Sequence, residues 1–196
     1  MILGGDKAGV AVNNGEQPLQ ASYPVNIDGK TYNLHDTIGL GEHTRNVNSA
    51  KAAGNLYRLV ADLSNRGGIN LLVYVIKSNK PSAETLRKNY NLLHHGFCNS
   101  KVPIVIVVTG CENLEPTMDT WWVDNEASLT QAGMSFKGYA CVCAFRGTKT
   151  RNGGYRNEDL VEDSVNVLRQ LVVQHCRSNG WKRVQHPYSQ FSTEQN

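Results

Sequence analysis

The sequence predicts an α/β fold with a largely parallel sheet. Strand-like and helix-like segments alternate along the chain, three apolar runs have the length of strands buried on both faces, and stripes of apolar residues at helical spacing separate and follow them. The 196 residues suit one domain with a sizeable core, and 40% hydrophobic with 19% charged residues excludes a disordered chain.

Taken in order, residues 21–27 and 31–35 flank Asp28-Gly29, a hairpin signal, and the second strand is expected to end in Asp36-Thr37-Ile38-Gly39-Leu40. Ala53, Leu56, Val60 and Leu63 predict a helix over 48–65 that Gly67-Gly68 stops. Residues 69–76 form the first fully buried strand. Pro81 and Ser82 open the next helix, with Leu86, Tyr90, Leu93 and Phe97 as its stripe. A second buried strand covers 102–108, a helix carrying Trp121-Trp122 covers 119–132, and a third strand covers 137–144. The last helix is expected over 157–176 with the stripe Val161, Val165, Leu168 and Val172, and the polar tail beyond Gly180 is expected to order only by docking on the body.

Composition narrows the partners. A net charge of +3 with scattered basic residues does not by itself imply nucleic acid or membrane. The five cysteines have no disulfide or zinc spacing and read as buried reduced thiols. No signal-peptide shape or membrane-length apolar run is present, so a cytoplasmic protein is expected.

Three short motifs sit where predicted strands end, the place where open α/β sheets bind ligands. Asp36 is placed to hold Mg²⁺, and Gly39 lets a backbone amide approach a phosphate. Thr109-Gly110-Cys111-Glu112 follows the second buried strand. A carboxylate there can accept hydrogen bonds from N1 and N2 of guanine, a pairing that rejects adenine, and a capped turn is the equal alternative. Ala144-Phe145-Arg146-Gly147 follows the third strand and offers backbone to a base edge, against the plainer reading of a turn with a solvated Arg.

With Asn26-Ile27-Asp28-Gly29-Lys30, His35-Asp36-Thr37-Ile38-Gly39-Leu40, Gly67-Gly68-Ile69-Asn70-Leu71-Leu72, Lys101-Val102-Pro103-Ile104, Val108-Thr109-Gly110-Cys111-Glu112, Trp121-Trp122 and Arg146-Gly147, the chain resembles the P-loop GTPase-like proteins abundant in mushroom-forming fungi, distant relatives of Ras-type GTPases. The resemblance runs from about Gly15 to Cys176. It implies a three-layer, mostly parallel GTPase-like sheet over 1–176 with a polar tail over 177–196. It also implies a nucleotide site made by Asp36, Gly39, Thr109, Glu112, Arg146 and Gly147, with GTP or GDP and Mg²⁺ as ligands and Asp36 on the metal.

Departures from the family weigh against catalysis. No G-x-x-x-x-G-K-[ST] occurs; Gly4-Gly5-Asp6-Lys7-Ala8-Gly9 has its Lys before the last Gly and is expected to be the end of a helix with no strand before it. Gln17 falls where a metal-binding Thr is expected and Leu40 where a water-orienting Gln is expected, leaving His43 as the loop side chain able to orient water. Without the first strand, the hairpin and the strand at 69–76 have no partner between them, so a dimer or a rearranged sheet is expected.

The expectation is therefore a degenerate GTPase-like protein with weak or absent guanine-nucleotide binding, acting through a protein partner or self-association. Three alternatives stay open. One is an active GTPase whose loop lies upstream. Another is a metal-dependent nuclease or phosphatase reusing the Asp36 edge with histidines, of which His94-His95 is the most conspicuous pair. The weakest is a nucleic-acid binder using Arg177, Trp181, Lys182, Arg183 and Tyr188.

Overall fold

The computed structural model describes residues 2–4, 20–37, 49–79 and 82–184. Among them six strands, β1 (Ile2–Gly4), β2 (Gln20–Ile27), β3 (Lys30–Thr37), β4 (Ile69–Lys77), β5 (Ile104–Thr109) and β6 (Tyr139–Val142), join in the order β2-β3-β1-β4-β5-β6. The helices are α1 (Ser49–Arg66), α2 (Ala83–Tyr90), α3 (Thr120–Gln131) and α4 (Glu158–His175), with a π-helical turn Asn91–Phe97 prolonging α2.

The β2–β3 hairpin turns at Asp28 (φ 49°) and Gly29 (φ 78°), both in the left-handed region that a tight two-residue hairpin loop requires. The apolar runs of β4 and β5 pair in parallel from Leu72↔Ile104 to Lys77↔Thr109, and β6 adds in parallel from Ile106↔Tyr139 to Thr109↔Val142. Helices cover both faces, as a parallel sheet demands. Leu56, Val60 and Leu63 of α1, Leu86 and Tyr90 of α2 and Leu129 of α3 pack with Leu72, Ile104 and Ile106 on one face. On the other, Leu168, Leu171 and Val172 of α4 pack with Leu71, Val73, Val105 and Val107.

The sequence-based expectations need correction in three places. The slot between β3 and β4 is filled by Ile2–Gly4, which runs antiparallel to both neighbours, so a strand does precede the glycine-rich segment, whose residues 5–9 lie outside the described residues. The slot expected to be empty is thus filled from within the chain, giving a six-stranded sheet in which β1 is reversed. Four strands (β3 to β6) share one direction, yet parallel pairing is confined to β4-β5-β6, because β1 and β2 run opposite to β3. In α4 the buried residues are Ser164 and Leu171, while Val165 is 42% exposed; the helix is rotated from the expected stripe because its buried Ser serves the β6 loop.

The chain beyond α4 docks as far as it is described. β5 begins level with Leu72, and Trp181 takes up the backbone of Ile69 below it through N–H···O bonds of 3.0 and 2.8 Å. Asn70 Nδ2 donates to the Arg177 carbonyl (2.8 Å), and Arg183 donates to the Tyr57 hydroxyl (2.8 Å) from above its ring. Arg183 and Trp181 are thereby engaged with the body, contrary to a free basic tail for nucleic acid.

The strap crosses at two facing glycines. A Cβ on Gly68 (φ 90°) would lie 2.5 Å from the Gly180 carbonyl carbon. Gly68→Ala is expected to lose about 2–4 kcal/mol, combining left-handed strain with a backbone clash, read as a lower urea midpoint at unchanged slope.

Candidate functional site at the carboxyl edge of the sheet

Because β3 to β6 share a direction, their carboxyl ends form one edge. At β5 the chain turns through Gly110 (φ 79°). Three bonds fix the turn: Ser78 N–H to the Thr109 carbonyl (2.8 Å), Ser78 Oγ to the Gly110 carbonyl (2.6 Å) and Thr109 Oγ1 to the Ile76 carbonyl (3.1 Å). The Thr109 hydroxyl is thus spent on the sheet and holds the loop's geometry. Cys111 is fully buried, and its N–H reaches the Val142 carbonyl at 3.4 Å.

Next to it Glu112 is half-buried, and its Oε2 is shielded from solvent with no hydrogen-bond partner among the described residues. A carboxylate oxygen in that state is costly unless a donor is supplied.

The neighbouring loop after β6 is held by the start of α4. Ser164 Oγ donates to the Leu160 carbonyl (2.6 Å) and accepts the Cys143 N–H (2.9 Å). Asn157 Nδ2 donates to the Phe145 carbonyl (3.1 Å), and Asn157 N–H to the Arg146 carbonyl (2.9 Å). Gly147 (φ 79°) packs under Arg156 and Asn157. The Arg146 guanidinium lies 5.9 Å from the Tyr155 ring centre, a cation–π contact. Phe145, by contrast, is 65% exposed on this edge. Periodicity could not single out Phe145, Asn157 or Ser164; only their position after a buried strand and at a helix start hinted at a role.

Asp36 stands apart. It is exposed, and its Oδ1 accepts the Thr37 N–H at 3.0 Å. Through Ile2, His35 is level with Leu72, so Asp36 is level with Val73 while Thr109 is level with Lys77. Four residues of rise and three strand spacings put Asp36 roughly 19 Å from Thr109. The two ends could share only an elongated ligand. Among the described residues no group of three or more His, Cys, Asp and Glu could hold a metal ion. Gly15, Gln17, Gly39, Leu40 and His43 lie outside the described residues.

The other singled-out residues are tied into the body of the fold. Burial pushes the Cys98 thiol up to about 12, and Cys141, hydrogen-bonded to Cys111 and buried, is also pushed up, which keeps both protonated at neutral pH. Trp122 stacks on Tyr139 at 4.6 Å, and Trp121 Nε1 donates to the Ser78 carbonyl at 2.9 Å. His95 Nδ1 pairs with Ser100 Oγ at 2.5 Å. His94 Nε2 donates to the Val102 carbonyl at 3.0 Å, leaving Nδ1 buried without a partner among the described residues.

Desolvation by burial therefore lowers the His94 pKa. The folded state binds this proton less readily than the unfolded chain, so stability is full above the unfolded value and falls as pH drops below about 6.5. Chemical denaturation of His94→Gln across this range is expected to show a shallower acid decline than the parent. Ser164→Ala strands the buried Cys143 N–H and is expected to lose about 1–3 kcal/mol in thermal unfolding. Compared with models of known protein families and with curated proteins, the chain matches none.

Proposed function

We propose that this chain is a degenerate GTPase-like domain that retains a guanine-recognising edge, binds guanine nucleotides weakly and acts through protein contacts. The observation that carries the reading is the shielded Glu112 oxygen with no donor among the described residues, at the carboxyl end of a central parallel strand. Guanine presents two adjacent N–H donors that such a carboxylate lacks, once the Glu112 side chain turns its shielded oxygen outward, and adenine does not. Phe145 on the next loop offers an exposed aromatic face for stacking a base.

The strand order adds support. A hairpin, a central slot and the β4-β5-β6 unit follow the arrangement that the resemblance implies, with the slot's occupant reversed. The 196 residues hold no phosphate-binding loop motif. Losing several charge-assisted hydrogen bonds of about 1.5–3 kcal/mol each moves micromolar affinity to millimolar.

Protein contacts are supported by the α4 face. Tyr23 (52% exposed) and Val25 (37%) lie on the side of Leu34 and Tyr32, and Val75 (40%) and Val165 (42%) extend that apolar surface.

Calorimetric and NMR titration with guanosine, adenosine, GDP and GTP, with and without Mg²⁺, tests the reading. Guanosine and GDP are expected to bind alike, with little effect of Mg²⁺, and Glu112→Ala to weaken guanosine by about tenfold or more. Equal binding of adenosine, or an unchanged Glu112→Ala, overturns it.

A further inference from the structure

A cavity of about 450 Å³ opens between the end of β4, the start of α2 and one side of α3, within the size range of small-molecule sites. Its polar lining is Ser78, Asn79, Ser82, Asn125 and Ser128, with Trp121 as a wall. Leu86 and Leu129 form the apolar floor and belong to the buried core.

Three properties of this lining select a ligand. None of the described lining residues is ionisable, so what the described lining offers a guest is neutral hydrogen-bonding groups. Hydroxyl and amide groups both donate and accept, which suits a guest whose own groups do both. The indole and the two leucines supply apolar surface for C–H groups on the same guest.

Part of the lining is held in place and part is free. Trp121 Nε1 donates to the Ser78 carbonyl (2.9 Å), Ser78 Oγ donates to the Gly110 carbonyl (2.6 Å), and Asn125 Nδ2 donates to the Trp121 carbonyl (2.7 Å), which leaves Asn125 Oδ1 as an acceptor. The side chains of Asn79 and Ser128 make no hydrogen bond among the described residues. Fixed walls with unspent donors and acceptors are the features that hold a small polar molecule in one orientation.

We propose that this cavity binds a neutral polyhydroxylated ring, a pyranose sugar, with its C–H face against Trp121 and its hydroxyls on Asn79, Asn125 and Ser128. The site shares Ser78 with the tie that fixes the Gly110 turn, but Glu112 is not among its described lining residues and sugar binding there does not depend on guanine recognition.

The test is NMR titration of the full chain with glucose, mannose and N-acetylglucosamine, with inorganic phosphate as the charged control. Saturable shifts centred on the Trp121 indole N–H and the Asn125 amide are expected at millimolar sugar. Asn125→Leu removes the acceptor and Ser128→Leu fills the mouth; each is expected to lower affinity by about tenfold or more, with unchanged far-UV circular dichroism. Ser128 is exposed on α3, so the second variant keeps the test valid if the first unfolds. Absence of saturation with every sugar, shifts that survive both substitutions, or phosphate binding as tightly as sugar overturns the proposal.

Discussion

Parallel pairing of β4 with β5 is the constraint from which the other features follow. Leu72, Ile104 and Ile106 face one side of this ladder and Leu71, Val73, Val105 and Val107 the other, so both faces must be covered by helices. A parallel connection must also return across a face, which puts α2 and its π-helical extension between β4 and β5, and α3 between β5 and β6. The loops at the carboxyl edge are thereby gathered from strands that are neighbours in space. Thr109-Gly110-Cys111-Glu112 and the Phe145 loop lie side by side for this reason.

The edge is held by short polar ties to buried backbone. Ser78 and Thr109 stitch the β4 and β5 ends, while Ser164 and Asn157 of the α4 end hold the β6 loop. Every one of these side chains spends its polarity on the scaffold. Glu112 differs, since one of its oxygens is shielded and has no donor among the described residues. An unspent carboxylate oxygen of this kind is the basis of the guanine reading proposed above, and Asn79 and Asn125 play the same part in the proposal for the cavity beside α2 and α3.

Among the described elements the two faces of the sheet are covered unequally. Three helices pack on one, and among the described elements only α4 packs on the other, where Val75 of a central strand remains 40% exposed. The rotation of α4 contributes, since burying Ser164 for the Cys143 amide turns Val165 outward. A polar tie at the carboxyl edge and an apolar surface on the face are thus two consequences of one helix orientation.

Local information in the sequence determined the hairpin at Asp28-Gly29, the buried strands, the four helices and the burial of four of the five thiols, Cys176 being only half-buried, because turn chemistry and apolar periodicity act over a few residues. It also marked Glu112 as a carboxylate at a strand end. Tertiary structure alone decided that Ile2–Gly4 fills the slot antiparallel, that Arg146 is taken by Tyr155 and that Trp181 closes the foot of β4. It also decided that Asp36 stands far from Glu112, since that distance depends on the register of four strands. Periodicity reports that a segment has an apolar side, whereas pairing partners and hydrogen-bond donors arrive from distant parts of the chain. Those contacts exist only once the sheet has assembled.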